Sequence, residues 1–335
     1  MSRLHDTVTA AVSYVAAHQL SDGALPWWPG GDLDPWDHVE CAMALDVGGR
    51  AFEAERAYRW FQDVQLDDGS MFAGFRDGVP HDRSRDTNSS TYVAVGAWHH
   101  YLSTGDRRFL RDLWPTVVGA IEFALGLQAE HGGIYWSRDE HGKVWRDCLV
   151  TGSSSVRAAL WCAERIAEVL GESEGARWRP RRLALEASFR DPGRNFDTWE
   201  DDKGHFAMDW YYPVLCGILS GEAARRRLER DRGRFLEHGQ GCRCRDDQPW
   251  VTVAESCELV MAMDACGQRE AGRELLEWQL AHREADGGFR TGTTGGEPWP
   301  EGERPSWTAA AAVLAADAIH SLTPAGGLFR SLQGP

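Results

Sequence analysis

Apolar residues recur along this chain at i, i+3, i+4 and i+7 almost from end to end, the spacing of amphipathic helices. No stretch carries a convincing hairpin signal. The pattern predicts twelve helices, over 3–18, 35–47, 51–65, 88–103, 107–128, 153–169, 173–189, 209–219, 221–236, 250–265, 268–283 and 306–321. They alternate in character. The even-numbered ones are rich in Ala, Val, Leu and Cys, as in "CAMAL" and "WTAAAAVLAADAI"; the odd-numbered ones carry Arg and Glu on one face, as in "AFEAERAYRWFQ". A helix apolar nearly all round is buried, and one with a polar face meets water. Six inner and six outer helices in alternation predict an all-α (α/α)6 toroid, one domain spanning residues 1–335.

A weak repeat agrees. Outer helices end in Gln19-x-x-x-Gly23, Gln65-x-x-x-Gly69, Gln128-x-x-x-Gly132 and, less closely, Arg283-x-x-x-Gly287. Copies near fifty residues apart indicate stacked supersecondary units, with the glycine supplying the turn after each outer helix.

Short loops join inner to outer helices, while 66–87, 129–152, 190–208, 237–249 and 284–305 lead back inward. Long ordered connections of that kind tend to carry function. In an alternating toroid all inner helices begin at one rim, so "DPWDHVE", "RDTNSSTY", "VTGSSS", "MDWYYP", "PWVTVAE" and "RPSWT" converge there. Asp34, Asn88 or Ser89, Ser153, Asp209 and Ser306 serve as N-caps. Capping does not call for Trp36, Tyr211, Tyr212 and Trp250, nor for acids repeated within the first turns. That excess predicts a cleft.

Composition narrows what the cleft holds. The 335 residues carry a formal charge of −15, which argues against a nucleic-acid partner. No apolar run approaches a membrane span and the N-terminus reads as an amphipathic helix, so a cytoplasmic protein is expected. Eight cysteines fall mostly singly in apolar settings, and the pair Cys242 and Cys244 lacks a second pair for zinc. No metal or cofactor is expected. Sixteen tryptophans are unusual, and Trp27, Trp28, Trp36, Trp136, Trp145, Trp210, Trp250, Trp299 and Trp307 lie at the edges of apolar runs. Any one of them reads best as a loop anchor; as a set they suit stacking on sugar rings. An oligosaccharide is the expected partner.

Glycoside hydrolysis needs two carboxylates flanking a sugar-sized space. Asp37 and Glu40, three residues apart, share one helix face. Glu255 lies in the apolar run "VTVAESCELVMAM", with Glu258 on the same face. Asp37 and Glu255 are therefore the expected catalytic pair, with Glu40 competing for the place of Asp37. Asp37 also suits the helix dipole, which would keep it ionised as a base. Glu255, desolvated by Val253 and Ala254, would be the acid unless Arg243 or Arg290 pairs with it. Asp209 serves either as cap or as third acid. His38 is as suited to a structural role as to a sugar hydroxyl, and Asp86 and Asp147 sit in long loops where solvation is the ordinary reading. The expected substrate-binding set is Trp36, His38, Glu40, Asp86, Asn88, Trp145, Asp147, Asp209, Trp210, Tyr211, Tyr212, Trp250, Glu258 and Trp307. No G-x-x-x-x-G-K-[ST], G-x-S-x-G or H-E-x-x-H motif is present.

The run "DTNSSTYVAVGAWHHYLSTGDRRFLRDLWPTVVGAIEFALGLQAEHGGIYW", with "PWDHVE", "AMDWYYPVL" and "PWVTVAESCEL", resembles the six-hairpin glycosidases. Within them it resembles an actinobacterial family often labelled prenyltransferase-like, which includes endo-acting α-mannosidases of methylmannose polysaccharide. The resemblance covers nearly the whole chain and implies an (α/α)6 fold, two catalytic carboxylates and inversion at the anomeric carbon. "QLDDGSMF" is also similar to the Q-x-x-D-G-S-W repeat of squalene and terpene cyclases, but "DLDP" stops short of their D-x-D-D donor. A cyclase-like or prenyltransferase-like enzyme and a non-catalytic glycan-binding toroid are the alternative expectations.

Overall fold

The computed structural model describes residues 2–198 and 203–334; part of the predicted connection 190–208, residues 199–202, lies outside the described residues. The chain is mostly helical. Helix α2 (Pro35–Val47) has almost no face to offer water, and ten of its thirteen residues are buried. It neighbours α5 (Val93–Thr104), which packs on α7 (Val150–Leu170), then in turn α10 (Ala207–Leu215), α12 (Val253–Ala265) and α14 (Ser306–His320). Helix α14 packs back on α2, so the six inner helices form a closed circuit. The small side chains Ala309, Ala310, Ala311 and Ala312, all buried, let α14 approach its neighbours closely.

Outside them lie α1 (Ser2–Ala17), α3 (Ala51–Val64), α6 (Arg107–Gly126), α8 (Glu174–Ser188), α11 (Gly221–Phe235) and α13 (Arg269–Leu280). Each buries one stripe against the circuit, and one hydrophobic core runs from Val8 to Leu332.

The glycine repeat is the joint between outer helices. Gln65 Nε2 donates to Gly69 O and to Thr116 O of α6, both at 2.9 Å. Gln19 does the same toward Glu53 O of α3, and Gln128 toward Arg181 O of α8. The repeat glycines have φ between +83° and +102°, and a Cβ on any of them would lie 2.1–2.3 Å from a backbone oxygen of the neighbouring outer helix. For Gly287 that oxygen belongs to Ala10 of α1, so the last turn docks on the first helix.

Several expectations are corrected. The fourth predicted helix is broken into α4 (Thr87–Thr91) and α5 at Tyr92, where the Thr91 hydroxyl donates back to Thr87 O at 2.9 Å. Residues 250–252 are a strand rather than the start of a helix, so Glu255 stands in the first turn of α12 instead of deeper within it. β-Branched Val251 and Thr252 pair there with two neighbouring strands. Ser153 is buried inside α7, which begins at Val150, and caps nothing. The inward connections carry hairpins in three small antiparallel sheets. Asp77-Gly78 and Gly295-Gly296 turn two of them, a tight-turn signal that the dominant helical period concealed. Short helices α9 (Pro192–Asn195) and α15 (Leu328–Ser331) were also not expected. The α15 segment closes the far end of the circuit, with Leu332 O accepting from Arg157 Nη1 at 3.0 Å.

Candidate active site

The starts of α2, α10, α12 and α14 meet the residues around α4 at one cavity of about 420 Å³. Seven carboxylates line it: Asp34, Asp37 and Glu40 from the start of α2, Asp82 and Asp86 from the connection before α4, and Glu255 and Glu258 from α12. Trp36, Trp307, Met208, Ala73, Ala254 and Ser89 complete the wall. Among the described residues no three His, Cys, Asp or Glu side chains are arranged to hold a metal ion.

Asp34 is a true cap: its Oδ1 accepts from the backbone N–H of Trp36 and of Asp37, each at 2.9 Å. Asp37 follows directly. Burial, then the charge and hydrogen bond of Asp34, then the charge of Glu40 push its carboxyl well above the usual carboxylate range. The helix dipole expected to keep Asp37 ionised is outweighed, chiefly by burial, to which Asp34 and Glu40 add. Facing it from α12, Glu255 leaves one buried oxygen without a hydrogen-bond partner. The suggested partners are engaged elsewhere: Arg243 pairs with Glu237 and Arg290 with Glu284.

One turn deeper on each helix sits a second acid. Glu40 Oε1 accepts from Trp36 Nε1 at 3.0 Å and from the Tyr92 hydroxyl at 3.2 Å. Glu258 accepts from the hydroxyls of Tyr211 and Tyr212, one on each oxygen. Burial raises both; the charge of Glu40 raises Glu258 further, so the two helices present their acids to one another. Asp86 is pushed up to about 6, chiefly by burial and by Asp82 and Asp34, and its Oδ1 is buried without a partner. One indole N–H group at the cleft, that of Trp307, is likewise unpartnered. Orphaned donors and acceptors collected around one cavity are what a polar ligand would satisfy.

Over 323 residues, 96% of this chain and 88% of the relative, the sequence is 43% identical to the MMP endo-(1,4)-3-O-methyl-alpha-D-mannosidase of Mycolicibacterium hassiacum. The chain belongs to this mannosidase family. It is a glycoside hydrolase. No family model matches the chain. Among solved structures, a glycosidase in complex with glucose superposes with a TM-score of 0.78 at 15% identity, covering 96% of this chain and 98% of that one. An α-amylase from Clostridium perfringens gives 0.66 at 10% identity, covering 92% and 97%. A D-mannose isomerase gives 0.65 at 11%, covering 94% and 97%. These likenesses show the fold alone, and the isomerase among them illustrates that the fold does not choose the reaction.

In this family member the structure brings together Asp37, Glu255, Trp36, Glu40, Asp86, Glu258 and Trp307 from the expected set. The others lie elsewhere. His38 is corrected from ligand to core: it is fully buried, its Nδ1 accepts the Leu25 N–H, and its Nε2 donates to Ala57 O at 2.9 Å. Tyr211 and Tyr212 are fully buried and hold Glu258 rather than offering faces to a sugar. Trp210 donates to Arg227 O and stacks on Phe235 behind them. Asp209 accepts from the Thr151 N–H and hydroxyl; burial pushes it up to about 6. Asp147 accepts from the N–H and hydroxyl of Thr198 and so fastens a loop. Asn88, within α4, has an unpartnered Oδ1 but does not line the cavity. Trp250 stacks on Trp299 at 4.5 Å, and Trp145 lies under the Lys143 ammonium, both outside the lining.

Asp34, Asp82 and Met208 line the cavity without having been singled out for it. Asp34 reads in sequence as a cap only. Asp82 lies in a hairpin strand, past a register shift that no local pattern reveals.

The Glu40 carboxyl is pushed up to about 7, first by burial, against an ordinary 4.5. An acid raised in the folded state costs stability above its folded pKa, and the cost disappears as pH falls below the unfolded value. Glu40→Gln keeps an oxygen for Trp36 and Tyr92 and should therefore stabilise the protein at pH 8 by about 3 kcal/mol. At pH 4 the gain should vanish. Urea midpoints at the two pH values read the difference; a gain that is equal at both would mean that Glu40 titrates normally.

Proposed function

We propose that this family member hydrolyses internal α-(1,4) bonds between 3-O-methylmannose residues, in a single-domain (α/α)6 toroid over residues 1–335, with Asp37 and Glu255 as the catalytic pair. The observation carrying the reading is that these two acids line one cavity from different inner helices.

The raised carboxyl of Asp37 suits the acid. It delivers its proton to the glycosidic oxygen as the C1–O bond breaks. Glu255, with its free oxygen, takes a proton from a water that attacks C1 from the opposite face, and the departing sugar carries the Asp37 proton away. This reverses the roles expected from the helix dipole alone. The surrounding carboxylates oppose the positive charge that builds on the ring in the transition state. Inversion is the course that resemblance to the six-hairpin glycosidases implies, with that water standing between Glu255 and the sugar. Trp36 and Trp307 supply flat walls. Ala73, Met208 and Ala254 are the lining side chains with neither charge, hydroxyl nor ring, and they suit a methyl ether, which offers no donor. The eight free cysteines favour a cytoplasmic site of action, and among the described residues no helix is long and apolar enough to cross a membrane.

The test is product analysis on methylated and unmethylated α-(1,4)-mannooligosaccharides, with the first-formed anomer read by NMR. Internal fragments in the β configuration are expected, the methylated substrate being preferred. Met208→Gln should narrow that preference about ten-fold, the usual order for one methyl in an apolar pocket. Release of terminal sugars alone, or no cleavage of either series, would refute the reading.

A further inference from the structure

Trp28 stands at the outer end of a row of three indoles. Trp307 lines the cleft; Trp27 meets it edge-on at 6.2 Å between centroids, and Trp28 meets Trp27 in the same way at 5.9 Å. The row is held in place. Ser306 N–H donates to Trp27 O and Ser306 Oγ to Pro26 O, both at 2.8 Å, tying the row to the start of α14. Gly31 lies against the Trp28 ring so closely that a Cβ there would come within 2.6 Å of Nε1.

Beyond Trp28 opens a second groove of about 600 Å³. Trp28, which is 36% exposed, and Pro29 form one wall. Glu301, Glu303, Asp286 and Arg304 also line it. It is braced: the Tyr14 hydroxyl donates to Arg304 O at 2.6 Å, and Arg304 pairs with Asp286 at 3.1 Å. Trp28 is left part-exposed at this groove, and an indole face gives stacking area to a flat ligand. A flat apolar face sharing a groove with carboxylates and a guanidinium matches a pyranose ring, which has an apolar C–H face and hydroxyls around its edge.

We propose that this groove is a distal subsite for sugar units of the same polymer, reached from the cleaved bond along the Trp307–Trp27–Trp28 row. The proposal rests on the endo-mannosidase reading, since an enzyme cutting inside a chain must accommodate sugars well beyond the cleft. Its substrate class is a neutral α-linked mannan, methylated or not, of a length that spans both cavities.

The experiment compares wild type and Trp28→Ala on a methylated α-(1,4)-mannan dodecasaccharide and on the tetrasaccharide. Trp28→Ala should raise KM for the dodecasaccharide about ten-fold, equivalent to about 1.4 kcal/mol of binding, with kcat unchanged. The tetrasaccharide should be cut as by wild type, and Trp28→Phe should recover most of the loss. A variant that weakens both substrates equally, or neither, overturns the subsite while leaving the catalytic reading intact. If wild type cuts neither length, the endo-mannosidase reading fails and the subsite falls with it.

Discussion

Asp37→Asn and Glu255→Gln should each lower kcat by about a thousand-fold, the range of a lost general acid or base, with KM little changed. Both substitutions keep the shape of the side chain and remove only its capacity to exchange a proton. The two are distinguishable. A substrate with an aryl leaving group needs little protonation to depart, so Asp37→Asn should lose far less on an aryl glycoside than on the natural linkage. Glu255→Gln should lose as much on either, because water still needs its base. The opposite pattern would restore Glu255 as the acid. Near-full activity in Glu255→Gln would make that residue structural and bring Glu40 and Asp209 forward. Neither rival has the same freedom: Glu40 is held by Trp36 and Tyr92, and Asp209 by Thr151.

Gly69→Ala should destabilise the fold by about 3 kcal/mol, combining a left-handed backbone with an overpacked joint. Its φ is +83°, and a Cβ would lie 2.1 Å from Gly119 O. That neighbour is backbone inside α6, so nothing can rotate away. Gly142→Ala is the control. It has a similar φ, +87°, but open space around it, and should cost only about 1 kcal/mol. Chemical denaturation midpoints of the two variants measure the difference. Equal losses would show that the joint between α3 and α6 tolerates being pried apart.

The alternation of buried and half-exposed helices was legible because amphipathic periodicity is local: each segment states which of its faces is apolar, whatever lies beside it. The Gln-x-x-x-Gly joints were legible for the same reason, since one turn contains both the glycine and the side chain that caps it. The acids at the starts of α2 and α12 stood out because charge in an otherwise apolar helix is costly unless used.

Which aromatics would face the cleft was not legible. Tyr211 and Tyr212 sit in the same kind of rim motif as Trp36, yet they point under Glu258 while Trp36 lines the cavity. The two tyrosine rings are held by Glu258, 47 and 46 residues away along the chain. The upward shift of the Asp37 carboxyl was not legible either. The helix dipole favours ionisation and the adjacent Asp34 and Glu40 oppose it, but the largest contribution, burial, is added only by the folded chain. By itself the sequence determined the main helical segments to within a few residues, which of them are inner, and which acids are out of place in them. Tertiary structure decided which of those acids share a cavity, how far burial raises their carboxyls and which aromatics line the cavity, because desolvation and side-chain direction depend on groups that only folding brings together.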